Sequence, residues 1–276
     1  INVLHGYAFN YFHFLTEQVP ALIALRHELD WLSEQQLHVL YAGQKWQAEL
    51  ILLAGFQPHQ LQAAQPCVAV RGDLIYTAAI PDSKAAELLL QTKALIPWPS
   101  VPLWADAAVP QVLVVERRCE KAESGRCAGA AQRGRSVQNF DEVREILLGA
   151  LPEAVVQNFR PEEHAVSAQA AAFAAAAVAV AAVGAALANI IWMVEGSMVV
   201  ALHPAHPDTS FSVYSSRCGQ NYFWHMAAQL GLEYRGFLCP SMTVAEGGSV
   251  DVSDFDRFLR AEVAPFISNY KTEALR

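Results

Sequence analysis

A histidine and a glutamate stand four residues apart near the start of the chain. The apolar pattern around them predicts a helix, so His13 and Glu17 would share one helix face. A carboxylate that orients an imidazole and raises its basicity suits general-base catalysis. A pair of metal ligands, with His5 as a further ligand, is a second interpretation, and a surface ion pair without chemistry is a third. The residue types alone leave all three open.

A run of basic residues follows a predicted strand in the middle of the chain. Positions 117–135 carry six of the chain's 19 lysines and arginines. Guanidinium groups bind diphosphate oxygens with a planar fork, and α/β sheets bind ligands in the loops after their strands. A diphosphate site and a solvated loop are therefore the two interpretations of this segment. Its basic residues are Arg117, Arg118, Lys121, Arg126, Arg133 and Arg135.

Two apolar runs joined through a glycine lie near the centre of the sequence. Residues 177–182 and 198–202 predict two strands buried on both faces and joined by a right-handed crossover. Gly184 marks a sharp turn after the first strand, and the helix expected from Ala185 would present its first amides to an anion. We expect either a ligand at this turn or a closely packed crossover without one.

A further polar group follows the second of these strands. His203, His206 and Asp208 could bind a metal ion, but the intervening prolines favour a rigid loop end. None of the patterns GxSxG, GxxxxGK[ST], HExxH and GxGxxG occurs in the chain. Their absence argues against an α/β-hydrolase, a P-loop kinase, a zincin and a standard dinucleotide-binding protein.

The composition describes a globular protein with a large core. Of the 276 residues, 53% are hydrophobic and 17% are charged, and the net charge of −8 argues against a nucleic-acid partner. The five cysteines form no CxxC pair and no zinc spacing. Residues 170–194 are uncharged but mostly alanine, so a buried helix, strand and helix is favoured over a membrane span. Membrane attachment is expected only through an anchor outside these residues.

Strands and helices are predicted to alternate along the whole chain. This alternation is typical of α/β domains. Pro20 and Pro265 fall inside predicted helices and are expected to kink or interrupt them. Outside the central stretch, strands are predicted over 37–42, 111–115, 154–159 and 233–238, a hairpin over 67–79, and helices over 45–53, 83–94, 140–148, 162–176, 221–230 and 252–267.

A proline-rich segment divides the chain. Residues 96–110 contain four prolines, which makes this segment the best linker in the sequence. We therefore expect two α/β domains, over residues 1–105 and 106–253. A closing helix over 254–276 is expected to pack back on the first domain.

Three segments, in this order, resemble glycosyltransferase family 61. The first runs from Asn10 to Glu17 with Pro20 and is similar to the family's N-Y-[YF]-H-[FW]-x-x-E and its following proline. The second joins residues 114–117 to 135–139 and is similar to a strand ending in S-R and to R-x-[IV]-x-N. The third, residues 184–189 with 196–197 and the strand beyond, is similar to H-G-A-x-L-[TA]-N and its continuation.

The resemblance implies a GT-B-type fold of two Rossmann-like domains and an inverting transfer. The donor would be a UDP-sugar of the xylose or N-acetylglucosamine class, the acceptor a glycan or glycoprotein, and no cofactor or metal would be required. His13, as the base, and Glu17 would face the acceptor. The Golgi or endoplasmic reticulum lumen is the implied location, or the cytoplasm for a bacterial chain. The residues implied on the donor side are Arg117, Arg135, Asn139, Gly184, Ala185, Leu187 and Asn189.

Three positions depart from the family pattern. Val183 stands in the place of a histidine, and Ala168 and Ala201 stand in the places of glutamates. Each loss of a hydrogen-bonding group from a buried polar site typically costs about 1–3 kcal/mol. Two hypotheses follow: a glycosyltransferase with rebuilt donor recognition, and a relative that binds nucleotide, glycan or a partner without turnover. A metal-dependent hydrolase that uses His13, Glu17 and the 203–208 group is a third.

Overall fold

The structure is a computed structural model that describes residues 1–4, 9–29, 37–65, 85–95, 109–116, 136–204, 221–242 and 247–274. It is α/β with parallel sheets and divides into two compact units. The first unit comprises Ile1–Trp98 with Ala165–Ser167, and the second comprises Pro99–His164 with Ala168–Arg276. The GT-B arrangement and the domain limits 1–105, 106–253 and 254–276 stay predictions. The hairpin expected over 67–79 lies outside the described residues.

The first unit places helices beside a short parallel sheet. Strands β1 (Val39–Tyr41) and β2 (Leu61–Ala63) pair in parallel, with Val39 opposite Leu61. The predicted helix over 45–53 is confirmed at its full length, with Gln44 and Gln47 forming a reciprocal cap at its start. The elements are α1 Tyr11–His13, a π-helical turn Phe14–Gln18, α2 Val19–Glu28, β1 Val39–Tyr41, α3 Lys45–Leu53, a 3₁₀ turn Pro58–Gln60, β2 Leu61–Ala63 and α4 Ala85–Lys93.

Neither helix-interior proline ends its helix, so the expected breaks are wrong, and the expected kinks stay predictions. A π-helical turn, Phe14–Gln18, precedes Pro20, and a second one, Leu259–Val263, precedes Pro265. The residue after each turn bonds to the carbonyl five positions back. Because proline lacks an N–H group and its ring crowds the carbonyl four positions back, the wider turn accommodates it within a continuous helix.

In the described part of the second unit, five parallel strands form one sheet. They are β3 Gln111–Val115, β4 Val155–Phe159, β5 Val178–Ala182, β6 Met198–Pro204 and β7 Glu233–Cys239. Their order is β4-β3-β5-β6-β7. The chain therefore places β4 on one side of β3 and then β5, β6 and β7 on the other. This order creates a switch point between β3 and β5, beyond whose carboxyl ends such sheets bind ligands.

The helices of the second unit follow the predictions, with two local differences. The segment after Gly184 is a 3₁₀ helix and not an α-helix. The helix predicted over 162–176 begins later, because a separate 3₁₀ turn precedes it. The elements are α5 Phe140–Ala150, the 3₁₀ turn Pro161–Glu163, α6 Val166–Ala174, the 3₁₀ helix Ala185–Trp192, α7 Asn221–Gln229, α8 Val252–Phe258, the π turn Leu259–Val263 and α9 Ala264–Ala274.

The closing helices contribute to the core of the second unit. Phe255 lies edge-on to Phe237 of β7, with 5.0 Å between ring centroids. The same core includes alternate residues of the central strands and the buried face of α5. The expected packing of residues 254–276 on the first domain stays a prediction. The buried residues that this segment supplies to the core are Phe255, Leu259, Val263 and Ile267.

Cys239, the last residue of β7, lies buried in this core, and burial raises the pKa of its thiol to about 12. The raised pKa contributes stability that is complete below the unfolded-state pKa near 9 and is lost as the pH rises towards 12. Above pH 9 the unfolding free energy of the wild type should fall with rising pH. In Cys239→Ala we expect this fall to be smaller, by up to about 1.4 kcal/mol per pH unit. Urea unfolding at several alkaline pH values measures this, and parallel declines in both proteins would contradict it.

No described helix is long and apolar enough to cross a membrane.

Candidate functional site

The switch point of the second unit lies where β3 and β5 end side by side. Val115, the last residue of β3, is in register with Ala181, near the end of β5. Glu116 follows β3 directly, and Val183 and Gly184 follow β5. The sheet order therefore places Glu116 beside the start of the turn at Val183 and Gly184. Arg117 and Arg135, expected at the diphosphate, lie outside the described residues.

The turn after β5 consists of residues with small side chains and leads directly into the 3₁₀ helix. At Gly184 the backbone is extended (φ 166°, ψ −175°), a conformation open to any residue, and the chain bends at residues 183–184, so the turn expected there is confirmed. The turn leads into the 3₁₀ helix, where the Leu187 N–H donates to the Gly184 carbonyl at 2.9 Å. Ala185 is partly exposed in the first turn, whose N–H groups precede any intrahelical partner. These amides can serve an anionic group.

Asn189 holds this helix from inside the protein. Its fully buried amide donates to Gln169 Oε1 at 3.0 Å and to the Ala186 carbonyl at 3.2 Å. Its oxygen accepts from the indole N–H of Trp192 at 3.2 Å. Gln169 in turn donates to the His164 carbonyl at 3.0 Å. Asn189 therefore stabilises the turn through hydrogen bonds from the protein interior. Its role towards a donor stays a prediction.

Asn139 joins the start of α5 to the segment before α8. Its oxygen accepts from the Val250 N–H at 2.8 Å, and its amide donates to the Val250 carbonyl at 2.9 Å. Beside it, the Gln138 N–H donates to the Gly248 carbonyl at 2.9 Å. Asn139 thus extends a short parallel contact between the two segments. This arrangement shapes the loop that enters α5, and contact with a diphosphate remains a prediction.

An ion pair at the ends of β3 and β4 was missed by the sequence reasoning. The Arg160 guanidinium donates to both oxygens of Glu116, at 2.9 and 3.2 Å, and to Glu163 at 2.8 Å. The Glu116 side chain is only 8% exposed. Hydrogen bonds to Glu116, then to Glu163, raise the pKa of Arg160 above its ordinary value. No local pattern links the two residues, which are 44 positions apart in the sequence.

The first unit positions His13 and Glu17 as the helical spacing predicts. His13 Nδ1 lies 2.6 Å from Glu17 Oε1, and both side chains are partly exposed. The Phe12 ring stands edge-on to the imidazole, with 5.2 Å between centroids. The π turn begins directly after His13, and the Thr16 hydroxyl caps the Phe12 carbonyl at 2.7 Å. The π turn is accounted for by Pro20, and the role of His13 and Glu17 towards an acceptor stays a prediction.

The second polar group, at the end of β6, contains a buried histidine. His203 Nε2 lies 2.8 Å from the Tyr234 hydroxyl on β7, and burial raises the pKa of Tyr234. His206 and Asp208 lie outside the described residues. Among the residues that are described, no three His, Cys, Asp or Glu side chains are grouped to hold a metal ion.

The three departures from the family pattern occupy different environments. Val183 is 1% exposed, and Ala201 is fully buried within β6, in register with Gly236. Ala168 is exposed on α6. Two of the three positions are therefore apolar and buried, and the third lies at the surface.

The parallel α/β sheet, with its switch point between β3 and β5, is compatible with a Rossmann-like glycosyltransferase. A family model for glycosyltransferase 61 matches residues 11–200, which is 190 of the 276 residues. The chain belongs to glycosyltransferase family 61, and the family implies glycosyltransferase activity with a nucleotide-sugar donor and a glycan acceptor. A search of curated proteins gives no significant match.

Proposed function

We propose that the chain is an inverting glycosyltransferase that moves a sugar of the xylose or N-acetylglucosamine class from a UDP-sugar to a hydroxyl of a glycan or glycoprotein. The observation that carries this proposal is the 2.6 Å contact between His13 Nδ1 and Glu17 Oε1, in a segment covered by the family match. The proposal includes the GT-B type of fold. It also includes the Golgi or endoplasmic reticulum lumen as the location, or the cytoplasm for a bacterial chain.

In the proposed reaction, His13 acts as the catalytic base. Since Glu17 engages Nδ1, Nε2 is the nitrogen that takes the proton of the acceptor hydroxyl. The acceptor oxygen then forms a bond to the anomeric carbon from the face opposite the diphosphate. The bond from that carbon to the diphosphate oxygen breaks, and the nucleoside diphosphate leaves with the electron pair. Glu17 is a positioning residue that orients the imidazole and stabilises its protonated form.

The donor is proposed to lie at the switch point of the second unit. The amides at Ala185 would face the diphosphate, and Gly184 and Leu187 would shape the turn against it. Asn189 and Asn139 would hold the two loops in place through their hydrogen bonds. Arg117 and Arg135 are proposed to neutralise the leaving diphosphate, as cationic groups do in phosphoryl and glycosyl transfer.

The experiment that tests the proposal offers the purified chain a set of activated sugars. UDP-xylose and UDP-N-acetylglucosamine are compared with GDP- and CMP-linked sugars, and released nucleotide is measured with and without glycan acceptors. We expect turnover with a UDP-sugar only, and a product whose anomeric configuration, read by NMR, is inverted. Retention of configuration would contradict the inverting mechanism, and turnover of a GDP- or CMP-sugar instead would contradict the donor class.

A second candidate function is binding without turnover. Val183 and Ala201 favour it, because buried apolar side chains stand where the family pattern has polar ones. A folded chain whose melting temperature rises with UDP, but which hydrolyses and transfers no sugar, would support this candidate, because a ligand stabilises the state that binds it. Any catalytic turnover of a nucleotide-sugar would exclude it.

A further inference from the structure

Gln18, the last residue of the π turn Phe14–Gln18, carries a buried amide. The residue is 4% exposed, and Phe14 and Leu22, four positions before and after it, are fully buried. Among the hydrogen bonds of the described residues, none involves the Gln18 side chain, which also does not cap the helix α2 that follows. A buried amide that loses its bonds to water without replacing them is unfavourable, so this side chain points to a partner outside the protein.

Two other glutamines are buried as deeply among the described residues of the first unit, and both have structural roles. Gln47 Oε1 accepts from the Gln44 N–H at 3.2 Å and closes the cap at the start of α3. Gln60 Oε1 accepts from the Gln57 N–H at 2.7 Å and closes the cap of the 3₁₀ turn Pro58–Gln60. Gln18 differs from both, because its amide holds no backbone group of the described residues.

The small exposed area of Gln18 includes its amide. Among the side-chain nitrogen and oxygen atoms of the described residues, only Gln91 Oε1 is both fully enclosed and without a hydrogen-bond partner. The polar atoms of Gln18 have no such partner either, so they are not fully enclosed. The amide therefore lies at the bottom of a narrow recess that water or a ligand hydroxyl can reach.

The π turn places Gln18 close to the proposed catalytic base. A π turn joins residues five positions apart, so Gln18 lies one turn beyond His13 along the same helical segment. Glu17, which engages His13 Nδ1 at 2.6 Å, is partly exposed, whereas Gln18 beside it is buried. One turn of the segment thus offers a base, the carboxylate that orients it and a buried amide.

We propose that Gln18 binds a hydroxyl of an acceptor sugar, next to the hydroxyl that reacts at His13. A hydroxyl donates one hydrogen bond and accepts others, and an amide offers both an oxygen and an NH₂ group, so the two groups match. The acceptor is then a sugar with two neighbouring free hydroxyls, and not a lone serine or threonine of a protein. The inference rests on the proposed function, which places the acceptor at His13, and Gln18 takes no part in the proton transfer.

Unfolding of Gln18→Leu tests whether the amide has a structural partner. Replacing an unpartnered polar group by an apolar one of similar size is neutral or stabilising. We therefore expect the urea midpoint of Gln18→Leu, without ligand, to equal or exceed that of the wild type. Gln60→Leu, which removes the oxygen that caps the 3₁₀ turn, is the matched control and should unfold at lower urea.

A second variant separates the amide from the shape of the side chain. Gln18→Met is unbranched like glutamine, so it detects a poor fit of the leucine branch. A midpoint below that of the wild type in both Gln18 variants overturns the inference, because the amide then has a structural role. A midpoint that is kept in either variant supports it, and that variant is used for the kinetics.

Transfer kinetics test the role of Gln18 towards the acceptor. The acceptors are the methyl glycosides of glucose, galactose and mannose with their monodeoxy forms, and the donor is the UDP-sugar that the wild type turns over. We expect the Gln18 variant to raise the KM of the accepted glycoside by about fivefold to a hundredfold. The turnover rate and the KM of the donor should stay unchanged, because binding that is equal in ground state and transition state affects KM alone. Gln60→Leu should keep the wild-type KM.

The monodeoxy acceptors identify the hydroxyl. One of them should bind more weakly to the wild type but no more weakly still to the Gln18 variant, because both changes remove the same hydrogen bond. An unchanged KM of the acceptor in the variant, or equal losses with every monodeoxy acceptor in both proteins, overturns the inference while the proposed function stands.

The wild type alone distinguishes failure of the inference from failure of the proposed function. Transfer to a serine-containing peptide or to water, but to none of the glycosides, overturns the sugar subsite and leaves the proposed donor standing. A folded wild type that neither binds nor turns over any nucleotide-sugar overturns the proposed function and this inference with it.

Discussion

His13→Ala is expected to reduce sugar transfer by about a hundredfold to ten-thousandfold while the protein stays folded. A positioned general base contributes about this factor, because it removes the acceptor proton as the new bond forms. The side chain is only partly buried and belongs to no described core cluster, so its truncation should leave the unfolding midpoint nearly unchanged. Transfer rates at saturating donor and acceptor measure the effect. Affinity for UDP should remain that of the wild type.

The matched control for this variant lies on the same helical segment. His27 is exposed in the last turn of α2, so His27→Ala should transfer at the wild-type rate. Added imidazole should restore part of the activity of His13→Ala, since it supplies the missing base. Glu17→Gln should lower the turnover rate with little change in KM, because it disturbs the orientation of the base. Wild-type transfer by His13→Ala would remove His13 from the mechanism.

The central strands β3, β5 and β6 of the second unit could be predicted because each is a short, mostly apolar run. The strands predicted over 111–115, 154–159 and 233–238 are present within a residue at each end. Burial on both faces of a parallel sheet favours apolar residues at successive positions of a central strand. That pattern is local, and local patterns are visible in a single sequence.

The order of these strands and the contacts at their ends could not be predicted. Glu116 and Arg160 are 44 residues apart in sequence and meet only because β3 and β4 are neighbours. A strand pattern fixes which residues are buried, but it carries no information on which strand lies beside which. The π turns before Pro20 and Pro265 were missed for a different reason, because proline usually ends a helix.

Asn189→Leu is expected to lower the free energy of unfolding by about 2–5 kcal/mol. The substitution keeps a side chain of similar size but removes the amide that bonds to Gln169 and Trp192. Two buried polar groups then lose a partner, and each such loss costs about 1–3 kcal/mol. Urea unfolding measures the difference. Asn158→Leu, at an exposed position of β4, is the matched control and should lie within about 0.5 kcal/mol of the wild type.

The double variant Asn189→Leu/Gln169→Leu distinguishes the loss of the hydrogen-bond network from a loss of packing. Asn189→Leu leaves the side-chain amide of Gln169 without this hydrogen-bond partner. If that loss causes the destabilisation, the double variant should lose less unfolding free energy than the sum of the two single variants. Residues that share a hydrogen bond typically show coupling of about 0.5–3 kcal/mol. Additive effects would mean that the two amides contribute independently. In that case the 3₁₀ helix after Gly184 would depend on its apolar contacts, and UDP binding should survive Asn189→Leu.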